Sequence, residues 1–197
     1  PWAGLAAFKQ PRFRAAALGY FGHCWELYAL WALVPFLVAR ELERLDAANS
    51  AQPWLSFAVI ALGLPGCVLA GKWSRQIGSD RVACVALATS GALCLVYPLL
   101  GSASPWLLLV LLGLWGVSVI ADSAQFSALA SATAPPERLG AALAMMNAIG
   151  FGLTIPSIAL VTALWSSQSL AVIWWLLPGP ILGLIAMRGF SAHKQFS

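Results

Sequence analysis

Six apolar runs of about twenty residues or more, separated by short polar breaks, fix most of what this chain can become. A membrane-spanning α-helix needs about 20 mostly apolar residues at 1.5 Å each. Residues 13–39, 54–72, 82–101, 105–131, 139–165 and 170–188 all meet that length. The breaks carry turn or polar signals: 40–53, 71–81, Gly-Ser-Ala-Ser-Pro at 101–105, Pro-Pro-Glu-Arg at 135–138 and Ser-Ser-Gln-Ser at 166–169. Transmembrane β-strands are about half as long and alternate in polarity; no such alternation occurs. The expected fold class is all-α, a polytopic membrane protein whose six transmembrane helices occupy residues 13–188, between a leading segment 1–12 and a tail 189–197.

Composition agrees. Charged residues make up 9% of the chain and hydrophobic ones 60%, with a mean hydropathy of +0.82. A soluble domain carries roughly 25% charged residues, so the expected surroundings are a lipid bilayer. The net charge of +4 is scattered over short connections, which gives no basic face for nucleic acid. Cys24, Cys67, Cys84 and Cys94 lie in apolar runs without a Cys-x-x-Cys pair, and read as small buried hydrophobes. No secretory signal is visible in residues 1–10.

Lys and Arg give an orientation. Lys9, Arg12, Arg14, Lys72, Arg75, Arg81, Arg138, Arg188 and Lys194, nine of the eleven, fall on one side of the predicted membrane; Arg40 and Arg44 fall on the other, among Glu41, Glu43 and Asp46. The basic side is expected to be cytoplasmic, with both termini there. Trp54, Trp73, Trp106 and Trp165 sit at predicted helix ends, where amphipathic rings favour the headgroup region. Small residues should bring helices together: Gly140, Ala144, Ala148 and Gly152 repeat every four residues in the fifth run, Gly63, Gly66 and Gly71 occur in the second, and Gly113 and Gly116 in the fourth.

Two acids, Glu26 and Asp122, lie inside the apolar runs. A carboxylate at bilayer depth is costly and normally faces a bundle interior or an aqueous path. Gly19, His23, Glu26 and Leu30 stack on one face of the first helix, and Trp115, Ser118, Asp122 and Gln125 on one face of the fourth. Glu26 lies about 20 Å along its run and Asp122 about 13 Å from the end of its own, so the two acids are expected to share a central cavity. Asn147 and Thr154 share a face of the fifth run. Each of these groups also has a structural reading as hydrogen-bonding glue between helices. An acid that exchanges its proton as water access changes sides is the smallest part that proton coupling needs; it serves equally as counter-ion for a cationic substrate.

Three local motifs resemble the major facilitator superfamily of transporters. Gly71-Lys-Trp-Ser-Arg75-Gln-Ile-Gly78-Ser-Asp-Arg81 is similar to its Gly-rich cytoplasmic loop, with Arg75 in place of the usual Asp. Pro135-Pro136-Glu137-Arg138-Leu139-Gly140 resembles the entry to the penultimate helix, and the stretch from Gly19 to Trp31 resembles the opening of the second half in a branch of bacterial members. The resemblance implies a C-terminal six-helix half with 3+3 inverted repeats in a bacterial inner membrane. It also implies that residues 1–12 end a cytoplasmic linker, and that the first and fourth helices line the path. The implied partner is an N-terminal six-helix half or a second copy, and Gly71, Arg75, Gly78 and Arg81 would form a gating loop.

The expected function is secondary active transport of a small polar or charged organic solute by alternating access, with proton coupling. Glu26, Asp122 and His23 are expected to bind the proton or the charge of the solute, with His23 tuning Glu26, and Ser118, Gln125 and Asn147 to bind solute. No cofactor or metal is expected, and no Walker-type loop points to ATP. The alternatives are a non-transporting membrane scaffold or assembly protein, and an intramembrane acid-base enzyme. Against the enzyme, the chain has neither a G-x-S-x-G element nor an H-E-x-x-H pair, and its second histidine, His193, lies in the tail.

Overall fold

A computed structural model describes residues 2–192; the notable residues His193 and Lys194 lie outside them. No strand occurs among the described residues. The first span is α1 (Pro11–Arg44), preceded by a 3-10 segment (Trp2–Lys9). The second is α2 (Gln52–Ala61) continued by α3 (Gly63–Ile77), the third α4 (Ser79–Leu99), and the fourth α5 (Pro105–Ala121) continued by α6 (Ser123–Thr133). The fifth is α7 (Leu139–Gln168). The sixth is a 3-10 segment (Ser169–Leu176) followed by α8 (Pro178–Ala192).

Five stretches are long and apolar enough to cross a membrane, and the last of them, Pro136–Phe190, has 55 residues. A straight helix of that length would run about 80 Å, more than twice a bilayer's hydrocarbon thickness. The chain reverses at Ser169 (φ 49°) and the 3-10 segment packs back on α7. Six helical spans therefore fit the six expected runs.

Some helices overrun their apolar runs. α1 continues to Arg44, and the second span continues to Ile77. Gly71 is therefore an interior residue of α3, not part of a turn. The turn falls at Gly78 alone (φ 94°), the single residue between α3 and α4. L side chains rarely adopt that conformation, and a Cβ there would also meet the Asp80 carboxylate at 2.7 Å. The second span breaks at Leu62, where Pro65 has no N–H to return to the carbonyl four residues earlier.

α1 is the hub. It packs on the second, fourth, fifth and sixth spans, while α4 packs on the second, fourth and sixth, and the second span packs along the fourth. The core divides into one cluster around Leu30, Leu33, Leu37, Leu112 and Trp115, another around Phe13, Ala16, Leu87, Phe126 and Met187, and a small third of Ala70, Val82, Ala86 and Ala121. The outer surface is apolar: Trp54, Leu64 and Ile155 are 76%, 74% and 71% exposed. Of the tryptophans expected at helix ends, Trp54, Trp73 and Trp106 are exposed and Trp165 is half-buried, whereas Trp115 is fully buried.

Glycines make the closest approaches. A Cβ on Gly22 would strike the Gly179 carbonyl oxygen, and one on Gly116 would strike that of Val59. The stripe Gly140, Ala144, Ala148 and Gly152 behaves otherwise. All four are exposed, and the two glycines have nothing within 4 Å of a built Cβ. α7 meets its neighbours through Ala142, Met146, Gly150, Thr154 and Ser157 instead, with Gly150 seated against Tyr20 and Cys24.

Candidate functional site

The stripe predicted on the first span is real and faces inward: Gly19, His23, Glu26 and Leu30 are all buried. Gly19 leaves room for the Phe126 ring, which lets α6 lie close enough for the next residue on the stripe to reach across. His23 Nδ1 lies 2.7 Å from Asp122 Oδ1, and both side chains are 2% exposed. Tyr20 stacks on the imidazole at 6.0 Å, and Phe126 lies 6.3 Å from it at a tilt. Asp122 is the residue between α5 and α6, so the acid sits at the discontinuity of the fourth span.

Glu26 occupies a separate setting. Its Oε1 accepts a hydrogen bond from Ser90 Oγ, one from the Cys94 thiol at 3.2 Å and one from Trp115 Nε1 at 3.1 Å. Trp115 Nε1 also lies 3.1 Å from Ser90 Oγ. Ser90 and Cys94 are four residues apart on α4 and present one face, on which Tyr97 follows three residues later. All three donors to Glu26 are neutral. The acid is 1% exposed.

The expected pairing of His23 with Glu26 is therefore replaced by His23 with Asp122. On α1 the two residues are three apart; His23 meets Asp122 of the fourth span, and Glu26 meets Ser90 and Cys94 of α4 together with Trp115 of the fourth span. Ser118 is buried and donates to the Trp115 carbonyl of its own helix at 3.2 Å, and Gln125 is buried on the same stripe as Asp122. Asn147 is exposed on α7, among the residues that do not face the packed interior. Of the loop residues, Arg75 and Arg81 are exposed on either side of the Gly78 turn.

Sequence reasoning missed Ser90 and took Cys94 for an inert hydrophobe. The spacing Ser90, Cys94, Tyr97 on one face of an apolar helix was the available signal. It also passed over Glu41, which is fully buried at the far end of α1. Glu41 is bound by Arg40 and by Arg44, the latter at 2.5 Å, while the same arginines donate to the carbonyls of Gly101 (2.7 Å) and Ala103 (2.6 Å). That clasp ties the end of the first span to the connection between α4 and α5.

Two apolar grooves mark the outside of the bundle. One, of 560 Å³, lies between α1, α7 and α8 around Phe21 and Trp25; the other, of 390 Å³, lies between the second, third and fourth spans around Trp73 and Thr89. Neither is lined by Glu26, His23 or Asp122. No group of His, Cys, Asp or Glu among the described residues has the arrangement of a metal site. No family model, no curated protein and no solved structure matches this chain.

Proposed function

We propose that this chain is a six-span half of a secondary transporter, of the major facilitator kind, in which Glu26 and the His23–Asp122 pair bind and release protons as a small polar or charged solute crosses the membrane. The observation that carries the reading is Glu26 itself: a carboxyl group 1% exposed, held midway along the first span by three neutral donors, with no cation among its hydrogen-bond partners in the described residues. A buried ionised carboxylate without a counter-charge is costly. Such a group is suited to exchanging a proton when water reaches it, and intramembrane acids commonly mark proton routes.

The packing pattern supports the architecture. Exchanging the first span with the fourth, the second with the fifth and the third with the sixth turns the set of packed neighbours into itself. The first packs on the fifth and sixth as the fourth packs on the second and third, and the third packs on the sixth. A 3+3 repeat would have this property. Acids then fall on the two exchanged spans. The basic residues at one end support an orientation with both termini cytoplasmic.

The second reading, a membrane scaffold, is favoured by a different observation. Both acids are hydrogen-bonded or ion-paired in packed surroundings, and neither lines the two grooves. Uptake into proteoliposomes separates the two, once a thermal-shift screen has supplied a solute. The transporter reading expects Glu26→Gln to abolish uptake driven by a pH gradient while leaving counterflow exchange. Unchanged pH-driven uptake removes Glu26 from coupling, and a protein that, assembled with its partner half or a second copy, shows no uptake or exchange of any solute that stabilises it is the scaffold.

A further inference from the structure

The 560 Å³ groove on the outside of the bundle has a shape and a charge at one end that neither the buried acids nor the packing explains. It runs along α1 past Leu18, Phe21 and Trp25, with Leu182 and Ile185 of α8 on one side and Leu153 of α7 on the other. It exists because Gly22 and Gly179 bring α1 and α8 into backbone contact and leave no side chain to fill the trough beside them. Its deep end is closed where Trp25 Nε1 donates to the Trp175 carbonyl at 2.9 Å. At its other end lies Leu18, one helical turn along α1 from Arg14.

Arg14, Leu18, Phe21 and Trp25 follow one another at four, three and four residues, so Arg14 stands on the same face of α1 as the groove. From Arg14 to Trp25 is eleven residues, about 16 Å along the axis. One leaflet of hydrocarbon is about 15 Å, half the bilayer core. With Trp25 near the midplane, Arg14 therefore stands at headgroup height. Its side chain is exposed and makes one long hydrogen bond, 3.5 Å to the carbonyl of Phe8, whose ring stacks on Phe21 at the mouth of the groove. Arg188 is exposed one turn past Ile185 on α8, at the same end, and Lys9 is exposed just before α1. The first turn of α1 holds no acidic residue.

We infer that this groove is a docking site for one anionic phospholipid, with an acyl chain laid against Leu18, Phe21 and Trp25 and its phosphate held by Arg14 and Arg188. An apolar trough of one leaflet's depth suits an acyl chain of any phospholipid. The two guanidiniums select among headgroups, because a net negative phosphate diester is matched by them and a zwitterionic head brings its own cation. Each basic residue at an anionic surface contributes roughly five-fold to binding, so two give a preference on the order of thirty-fold.

Native mass spectrometry of the purified protein tests this, with equimolar dioleoylphosphatidylglycerol and dioleoylphosphatidylcholine as probes. The expected result is one retained phosphatidylglycerol, preferred by roughly thirty-fold. The double variant Arg14→Gln, Arg188→Gln should retain both lipids equally, and Leu182→Trp, which fills the trough, should reduce retention of both. Both sets of side chains are exposed, so thermal melts of the variants should match the parent. Equal retention of the two lipids by the parent overturns the inference, as does an unchanged preference in the arginine variant. Displacement of the bound lipid by glycerol 3-phosphate alone would assign the site to a free phosphate and overturn the groove's part in it.

Discussion

α1 buries two glutamates fifteen residues apart, about 22 Å along one axis, and treats them in opposite ways. Glu41 is clasped by Arg40 and Arg44, which are themselves anchored to the carbonyls of Gly101 and Ala103. Glu26 has a serine, a thiol and an indole, and no cation. Burial is the same and charge compensation is not. A carboxylate with two guanidiniums has its negative charge matched and works as a fastener; one held by neutral donors retains a choice of protonation state. The contrast separates an acid whose charge is matched from an acid held by neutral donors alone.

The largest expected effect therefore belongs to Glu41. Glu41→Ala strands two arginines at a packed helix end, and breaking a buried pair costs about 3 kcal/mol or more. The arginine side chains keep 25% and 28% exposure, which sets the expectation at that lower figure. Chemical unfolding in mild detergent measures it. A loss below about 1 kcal/mol would put the clasp with ordinary surface pairs and erase the contrast.

Next in size are the donors around Glu26. Ser90→Ala and Trp115→Phe each remove one hydrogen bond to a buried acid and should cost about 1–2 kcal/mol. Because the indole also reaches Ser90, the double variant should cost less than the sum of the two. Strict additivity would mean that the three groups do not act as one network.

Glu26→Gln should cost less still, under about 1 kcal/mol, since the amide oxygen can accept the same three donors and no cation is left unpaired. Its effect is expected in proton-driven transport, not in stability. A stability loss as large as that of Glu41→Ala would make Glu26 a second fastener. The smallest change is Asn147→Ala, at an exposed position of α7, within about 0.5 kcal/mol.

Much of the fold was legible because an apolar chain must pair its backbone groups within the helix, so length and apolarity alone find the helices. The positions of the acids were legible for the same reason, since charge stands out against an apolar background. Their partners were not. Helical spacing put His23 and Glu26 on one face, but the few tens of degrees between them bring His23 to Asp122 and Glu26 to Ser90, Cys94 and Trp115. Ser90 and Cys94 were invisible as donors because each is small and common in such helices. The stripe from Gly140 to Gly152 misled in the opposite sense, because small-residue spacing identifies a face able to approach another helix without saying that one within this chain meets it.

The measurement closest to the central claim is the infrared carbonyl band of protonated carboxylic acid in the membrane-embedded protein, followed as the bulk pH is changed and compared with Glu26→Gln. A proton-exchanging Glu26 gives a band that grows and fades reversibly with pH and that is missing from the variant. A spectrum in which Glu26→Gln removes nothing, or in which its band ignores pH, would contradict a proton-exchanging Glu26.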